Sequence, residues 1–295
     1  FKSDGDYTLS GPGVLAGTSS LNKTGTGSLV LASGNTYSGA TVLHNGVVQF
    51  GQLANGGQPS SIGSSLNYGF NWVWKGGTWN YTGGNTTTDR QAIIDKSTTF
   101  SVEQAGTTVT FNGELSGVGG LIKDGPGRLS LRAVNPYEGE TVIKGGVLEV
   151  YPLSTGTETE NIIHNGMALG TSNIIKFEGG TLTSRGGSDA FYETYPMSFH
   201  IKEGTENTFA PQRTANLKMD VSGSGTLNYD ISYSRELIQG DWSGFTGKLN
   251  ANGIGTLTNG ERSMLMIDNG VGFPNTLVNA TGNTKITTYS NNQTL

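Results

Sequence analysis

Apolar residues in this chain recur at every second position, in short runs. Leu29 and Leu31 alternate with Ser28 and Val30, Val42 follows Thr41, and Val47 and Gln49 follow Gly46. Runs of about four to six residues are closed off by Gly, Asn-Gly, Ser-Gly or Gly-Gly, which reads as short strands joined by tight turns. No stretch carries a 3.6-residue period with helix caps. The pattern predicts an all-β fold.

The runs themselves repeat. Residues 21–50 and 121–150 align without a gap at an offset of 100, with 13 of 30 positions identical. The shared residues include Lys23/Lys123, Gly25/Gly125, Asn35/Asn135, Tyr37/Tyr137, Gly39/Gly139, Thr41/Thr141 and Gly46/Gly146. Chance would give roughly two identities at ordinary residue frequencies. The flanks repeat more loosely: Lys75–Trp79 matches Glu178–Leu182, and Leu115–Leu121 matches Val221–Leu227. A degenerate third copy runs from Trp242 to Gly253.

Two architectures suit a 100-residue period. Tandem β-sandwich modules would each hold their own core. A right-handed parallel β-helix would instead divide the period into four or five rungs of about 20–25 residues, none able to bury its inner face alone. The sub-patterns of roughly 10 and 20–25 residues, with no linker between copies, favour the solenoid. At about 4.8 Å per strand, some 13 rungs would make a rod on the order of 60 Å long. The expected division is a β-helix over 1–155 and a more irregular continuation over 156–295.

Composition sharpens this choice. The chain of 295 residues holds 47 Gly, 37 Thr and 25 Asn. Gly permits sharp corners, and Thr, Ser and Asn can form side-chain ladders along stacked strands. With only 8 Pro and no Gly-X-Y period, collagen is excluded. Cys is 0, so there is no disulfide framework and no thiol nucleophile, and only three His (His44, His164, His200) are present for a metal site or triad. A formal net charge of −5 with 18 Lys+Arg leaves no electrostatic footprint for nucleic acid. No apolar run reaches the length of a membrane helix. The chain opens on Phe1 without Met, which suggests a processed or excised piece.

The stretch Lys23-Thr-Gly-Thr-Gly-Ser-Leu-Val-Leu31, followed by Asn35-Thr-Tyr-Ser-Gly-Ala-Thr-Val42 and Asn45-Gly-Val-Val-Gln49, resembles the autotransporter-associated β-strand repeat. Lys123–Val150 is a second match, and Gly76–Thr78 and Asp89-Arg90 resemble the family's connecting segments. The resemblance implies a β-helical passenger region of a bacterial exported protein, at the cell surface and associated with the outer membrane. Pro126 and Pro136 replace Thr, which a corner tolerates, and 151–220 and 254–295 match poorly.

Candidate sites are few. Tyr68, Phe70, Trp72 and Trp74 alternate, and Trp79 and Tyr81 follow. Period two would put Phe70, Trp72 and Trp74 on one face, either as an aromatic platform for sugar rings or as core packing of one wide rung. Trp72, Trp74 and Trp79 are therefore candidate ligand contacts. Tyr192 and Tyr195, in a second aromatic cluster that interrupts the repeat, are further candidates. Acidic pairs at Asp89/Asp95/Glu103, Glu138/Glu140 and Glu158/Glu160 could serve glycosidase chemistry, but no motif marks them as catalytic. Arg235-Glu236 and Asp241-Trp242 fall in the degenerate copy, with Trp242 read as buried under a turn. No catalytic residue, metal or cofactor is expected.

The expected function is a non-catalytic structural or adhesive stalk module. The alternative is a carbohydrate-binding or polysaccharide-degrading β-helix. Glycans or other surface proteins are the expected partners. Residues 284–289 still read as a strand, so a continuation of the chain or a partner is expected to cover that end.

Overall fold

A computed structural model gives the structure of the chain. It describes residues 1–151, 161–162, 168–172, 174–184, 193–194, 197–211, 215–231, 235–254, 263–268, 272, 276–282 and 284–289. They fall into two compact units, Phe1–Leu148 with Gly166–Ser172, and Glu149–Asn165 with Asn173–Leu295. Each is a stack of short parallel strands, the parallel β-helix that the period-two runs and Gly corners predict.

In the first unit, one sheet runs Tyr7–Leu9, Ser28–Leu31, Val47–Phe50, Thr78–Tyr81, Thr98–Val102, Leu121–Asp124, Thr141–Ile143, each strand parallel to the next. A second runs Leu21–Lys23, Thr41–Leu43, Trp72–Trp74, Ala92–Ile94, Leu115–Ser116. A third runs Thr86–Thr88, Thr108–Phe111, Arg128–Leu131. Partners such as Leu21 and Thr41, or Val73 and Ile93, stand 20 residues apart, one rung of chain. The step from Thr41 to Trp72 is 31 residues and accommodates a long excursion over 51–71. Tandem sandwiches, which need antiparallel sheets, do not fit these parallel ladders.

In-register stacking makes the core. Leu29, Val48, Trp79 and Phe100 lie one above the other, as do Leu31, Phe50, Tyr81 and Val102, all buried. Alternate residues face out, so Val42, Val73 and Ile93 form a half-buried column on the outside of the second sheet.

The two repeat copies do not sit on the same faces. The first places its Lys-bearing strand, Leu21–Lys23, in the second sheet and its Leu-x-Leu strand in the first. The second copy places Leu121–Asp124 in the first sheet and Arg128–Leu131 in the third. A 100-residue period is thus four turns plus one face. Each copy is four short strands, one corner of the coil two rungs deep, and the two copies occupy different corners.

The second unit follows the same rules. Its strands include Ile174–Phe177, Ser198–Ile201 and Val221–Gly223 in one parallel set. Another holds Thr181–Ser184, Glu206–Ala210, Thr226–Ile231, Lys248–Gly253 and Leu277–Gly282. A third contains Ser263–Asp268 and Thr284–Tyr289, the strand expected at 284–289. The side-chain ladders suggested by the Asn content are present. Asn250 Nδ2 donates to Asn228 Oδ1 at 2.7 Å, Asn279 Nδ2 to Asn250 Oδ1 at 3.1 Å, and Asn252 Nδ2 to Asp230 Oδ1 at 3.0 Å. Trp242 is buried, its indole N–H donating to the Met219 carbonyl at 3.1 Å. Glu236 is buried as well.

Candidate functional sites: the repeat latch and the aromatic turn

The residues that mark the repeat face inward and bind backbone. Lys23 and Lys123 point into the coil at positions otherwise apolar, Lys123 stacking on Phe100 and Ile143. A buried ammonium needs acceptors. Lys23 Nζ donates to the carbonyls of Thr24 and Gly25, both at 3.0 Å. Lys123 Nζ donates to those of Asp124 (2.5 Å), Gly125 (2.9 Å) and Gly145 (3.1 Å). Burial pushes the Lys123 ammonium down to about 8. Each lysine closes the turn that follows it, where Gly25 (φ +83°) and Gly125 (φ +72°) adopt the left-handed backbone that glycine tolerates.

Asn, Tyr and Thr form a latch on a segment far along the chain. Asn35 accepts the Leu15 N–H at 2.9 Å and donates to the Ser61 carbonyl at 2.7 Å. Tyr37 and Thr41 join hydroxyls at 2.7 Å, and Thr41 Oγ1 donates to the Ile62 carbonyl at 3.0 Å. The Ser64 N–H donates to the Tyr37 carbonyl at 2.8 Å. In the second copy, Asn135 accepts from the Leu115 N–H at 2.9 Å and donates to the Ala168 carbonyl at 3.0 Å. Tyr137 and Thr141 join hydroxyls at 2.6 Å, Thr141 Oγ1 reaches the Leu169 carbonyl at 3.1 Å, and the Thr171 N–H reaches the Tyr137 carbonyl at 2.8 Å. Gly63 and Gly170 share φ of +81° and +80°, and at either a Cβ would strike the Tyr ring and carbonyl. Ser61-Ile-Gly-Ser64 and Ala168-Leu-Gly-Thr171 are therefore equivalent, a relation lying outside the 30-residue alignment.

The first latch has an additional clamp. The buried Arg90 guanidinium donates to the carbonyls of Ala54 (2.9 Å), Gln58 (3.2 Å), Gly63 (2.9 Å) and Ser65 (3.3 Å), and to Ser65 Oγ (3.1 Å). Its neighbour Asp89 accepts the Gly56 N–H at 2.8 Å. Asp89-Arg90 thus pins the excursion over 51–71.

The tryptophans do not form a platform. Trp72, Trp74 and Trp79 are at most 1 % exposed and pack among Phe50, Phe100 and Phe111, Trp72 stacking on Phe111 and Trp74 on Phe100. The wide rung made by the 31-residue step gives them room, and the hydrophobic effect favours filling it. Phe70 is also not where period two put it. Gly69–Asn71 is a 3₁₀ turn, which breaks the alternation just before the strand Trp72–Trp74. Phe70 is 62 % exposed and Tyr68 53 %, their rings stacked at 5.3 Å and 8°. Tyr192 and Tyr195 lie outside the described residues.

Asp95 pairs with Lys75 at 3.3 Å, Glu103 accepts from Ser101 at 2.7 Å, and Glu138 is exposed. Glu158 and Glu160 lie outside the described residues. A recess of about 280 Å³ near the start of the chain is lined by Thr8, Leu9, Ser10, Val14, Leu15 and Asn35 among others, and no carboxylate lines it. Among the described residues, no three His, Cys, Asp or Glu side chains gather where a metal could bind. None of the helices there is long and apolar enough to cross a membrane.

Fold and latch together define a parallel β-solenoid in which a four-strand corner, two rungs deep, recurs at two different faces. Residues 21–50 and 121–150 match the Passenger-associated-transport-repeat family, so the chain carries two copies of that repeat. The chain is similar to the Adhesin BmaC autotransporter of Brucella suis biovar 1, with 32 % identity over 238 residues, 79 % of this chain and 7 % of that protein. It is also similar to the Neisserial autotransporter lipoprotein NalP of Neisseria meningitidis serogroup B, with 39 % identity over 80 residues, 25 % of this chain and 7 % of that protein. The chain thus spans less than a tenth of the length of either relative. No solved structure matches. The chain thus carries two passenger-associated repeats and is similar over most of its length to a small part of an autotransporter adhesin.

Proposed function

We propose that this chain is a non-catalytic structural and adhesive module of a bacterial surface protein. The observation that carries this reading is where the repeat-marking side chains go. Lys23, Asn35, Tyr37 and Thr41, and their counterparts 100 residues on, are buried and bonded to backbone or to one another. They hold rungs and latch segments in place, and Asn35, which also borders the recess near the start of the chain, spends its amide on the Leu15 N–H and the Ser61 carbonyl. A scaffold fixed in this way keeps its outer faces rigid, which lowers the ordering cost of any contact made there. Similarity to an adhesin supports the adhesive role.

The test is display of the chain on a non-adherent bacterium, with adhesion to host cells or matrix scored against an empty display carrier. Gain of adhesion is expected. In parallel, purified chain incubated with a polysaccharide panel should release no oligosaccharide. Product release would overturn the non-catalytic reading in favour of a polysaccharide-degrading β-helix.

A further inference from the structure

The excursion over 51–71 carries a feature that the scaffold does not use. Leu66, Tyr68 and Phe70 are 62 %, 53 % and 62 % exposed, side by side on one turn. Large apolar side chains scattered singly on a surface need no explanation, but an adjacent group of three does. This group is held in place from both ends. Arg90 and the Gly57 N–H grip Ser65, at the start of the turn. The Tyr68 N–H donates to the Leu66 carbonyl at 2.9 Å and the Asn71 N–H to the Tyr68 carbonyl at 2.8 Å. Gly69 sits over Ile93, where a Cβ would come within 3.2 Å of its side chain. The aromatic pair is thus displayed by a pinned turn.

The polar groups beside the rings complete the chemistry. Asn67 and Asn71 flank Tyr68 and Phe70. Asn67 spends its Oδ1 on the Gln91 N–H at 2.8 Å, and Asn71 spends its Nδ2 on the Leu66 carbonyl at 2.8 Å. That leaves the Asn67 Nδ2 donor, the Asn71 Oδ1 acceptor and the Tyr68 hydroxyl with hydrogen-bonding capacity beside the rings. Residues 63–73 contain no charged side chain. The outer face of the stacked ring pair suits the C–H face of a sugar, the neighbouring amides suit its hydroxyls, and the lack of charge in this segment suits a neutral one.

We propose that the turn Leu66–Asn71 is a binding site for neutral pyranose rings of a glycan, with Tyr68 and Phe70 as the stacking surface and Asn67 and Asn71 as the hydroxyl partners. The site rests on the adhesive reading above and names its ligand class. It replaces the tryptophan platform, whose rings are enclosed.

The test titrates purified chain with neutral hexasaccharides of β-linked glucose and of N-acetylglucosamine, read by ligand-observed NMR and calorimetry. Saturable binding is expected to at least one. It should weaken about tenfold or more in Tyr68→Ala/Phe70→Ala, with the thermal melt unchanged because both residues are exposed. Tyr68→Phe should keep most of the affinity. Absence of binding to every neutral probe, binding that the double substitution leaves unchanged, or binding only to acidic saccharides would overturn the proposal. A display arm separates this site from the broader reading. If displayed wild type adheres and the double variant adheres equally, the site falls and the adhesive role stands. If wild type itself fails to adhere, the adhesive role falls with it.

Discussion

Replacing Thr141 by Val tests the latch, because it removes one hydroxyl and almost no volume. Thr141 Oγ1 donates to the Leu169 carbonyl at 3.1 Å, so at 2.6 Å it accepts the proton of the Tyr137 hydroxyl. Tyr137, Thr141 and Leu169 are all at most 2 % exposed, so water does not replace what is lost. Val therefore orphans two buried groups, the Tyr137 hydroxyl and the Leu169 carbonyl, at about 1–3 kcal/mol each. The added methyl returns at most about 0.8 kcal/mol. The expected net loss is about 1–5 kcal/mol. Tyr137→Phe leaves Thr141 bonded to Leu169 and should cost only about 1 kcal/mol. The double variant should cost less than the sum, since one hydroxyl pair serves both residues. Urea unfolding gives the totals. Amide exchange at Thr171, whose N–H is held by the Tyr137 carbonyl, reads the latch itself. If the latch opens on its own, exchange there should quicken by about fivefold or more. A Thr141→Val loss below about 0.5 kcal/mol, with exchange at Thr171 unchanged, would refute the reasoning.

Further outcomes follow from the same structure. Gly63→Ala should cost about 2–4 kcal/mol in thermal or urea unfolding, because φ is +81° and the Cβ would lie 2.6 Å from the Tyr37 carbonyl oxygen, whereas Gly57→Ala, at φ +79° with only Leu66 at 3.8 Å, should cost about 1–2 kcal/mol. Trp74→Ala should cost about 3–5 kcal/mol and Phe70→Ala under about 0.5 kcal/mol, and equal costs would contradict the burial assignments. Because the Lys123 ammonium is pushed down to about 8 from 10.5, the unfolded chain binds more protons between those values and this lysine's contribution to stability rises with pH there. The difference in unfolding free energy between wild type and Lys123→Met should therefore rise by about 2–3 kcal/mol from pH 8 to 10. Taking that difference cancels the buried phenols of Tyr37, pushed up to about 12, and Tyr137, also raised, which act in the opposite sense at the top of the range. A flat difference would contradict it.

The strands were legible because period two survives in sequence: Leu29, Leu31, Val48 and Phe50 face inward as the alternation requires. The repeat itself gave the rung length. Three features were not legible, each for a physical reason. The latch joins Asn35 to Ser61 and Asn135 to Ala168, at separations of 26 and 33 residues, so no fixed spacing marks it. Its surviving trace is the Ile-Gly-Ser and Leu-Gly-Thr pair, visible only once the partner Tyr is known. The one-face advance between copies depends on how many residues each corner consumes, which identity at an offset of 100 does not encode. Phe70 was misplaced because Gly69 permits a tight turn that resets the alternation by leaving the strand. The adjacent Trp72 and Trp74 obey period two, but periodicity alone assigns them to a common face without saying whether that face is inside.

The outward column Val42, Val73 and Ile93 measures the in-register solenoid directly. The chain has no Cys, so paired Cys substitutions at these positions take spin labels cleanly. Val42 pairs with Val73, and Val73 with Ile93, on successive strands. Dipolar distances between backbone-anchored labels should therefore increase by about 4.8 Å per step, shorter for 42/73 and 73/93 than for 42/93. Labels at 42 and 93 that lie closer than those at 42 and 73, or steps with no common increment, would contradict a stack of parallel rungs and the scaffold role built on it.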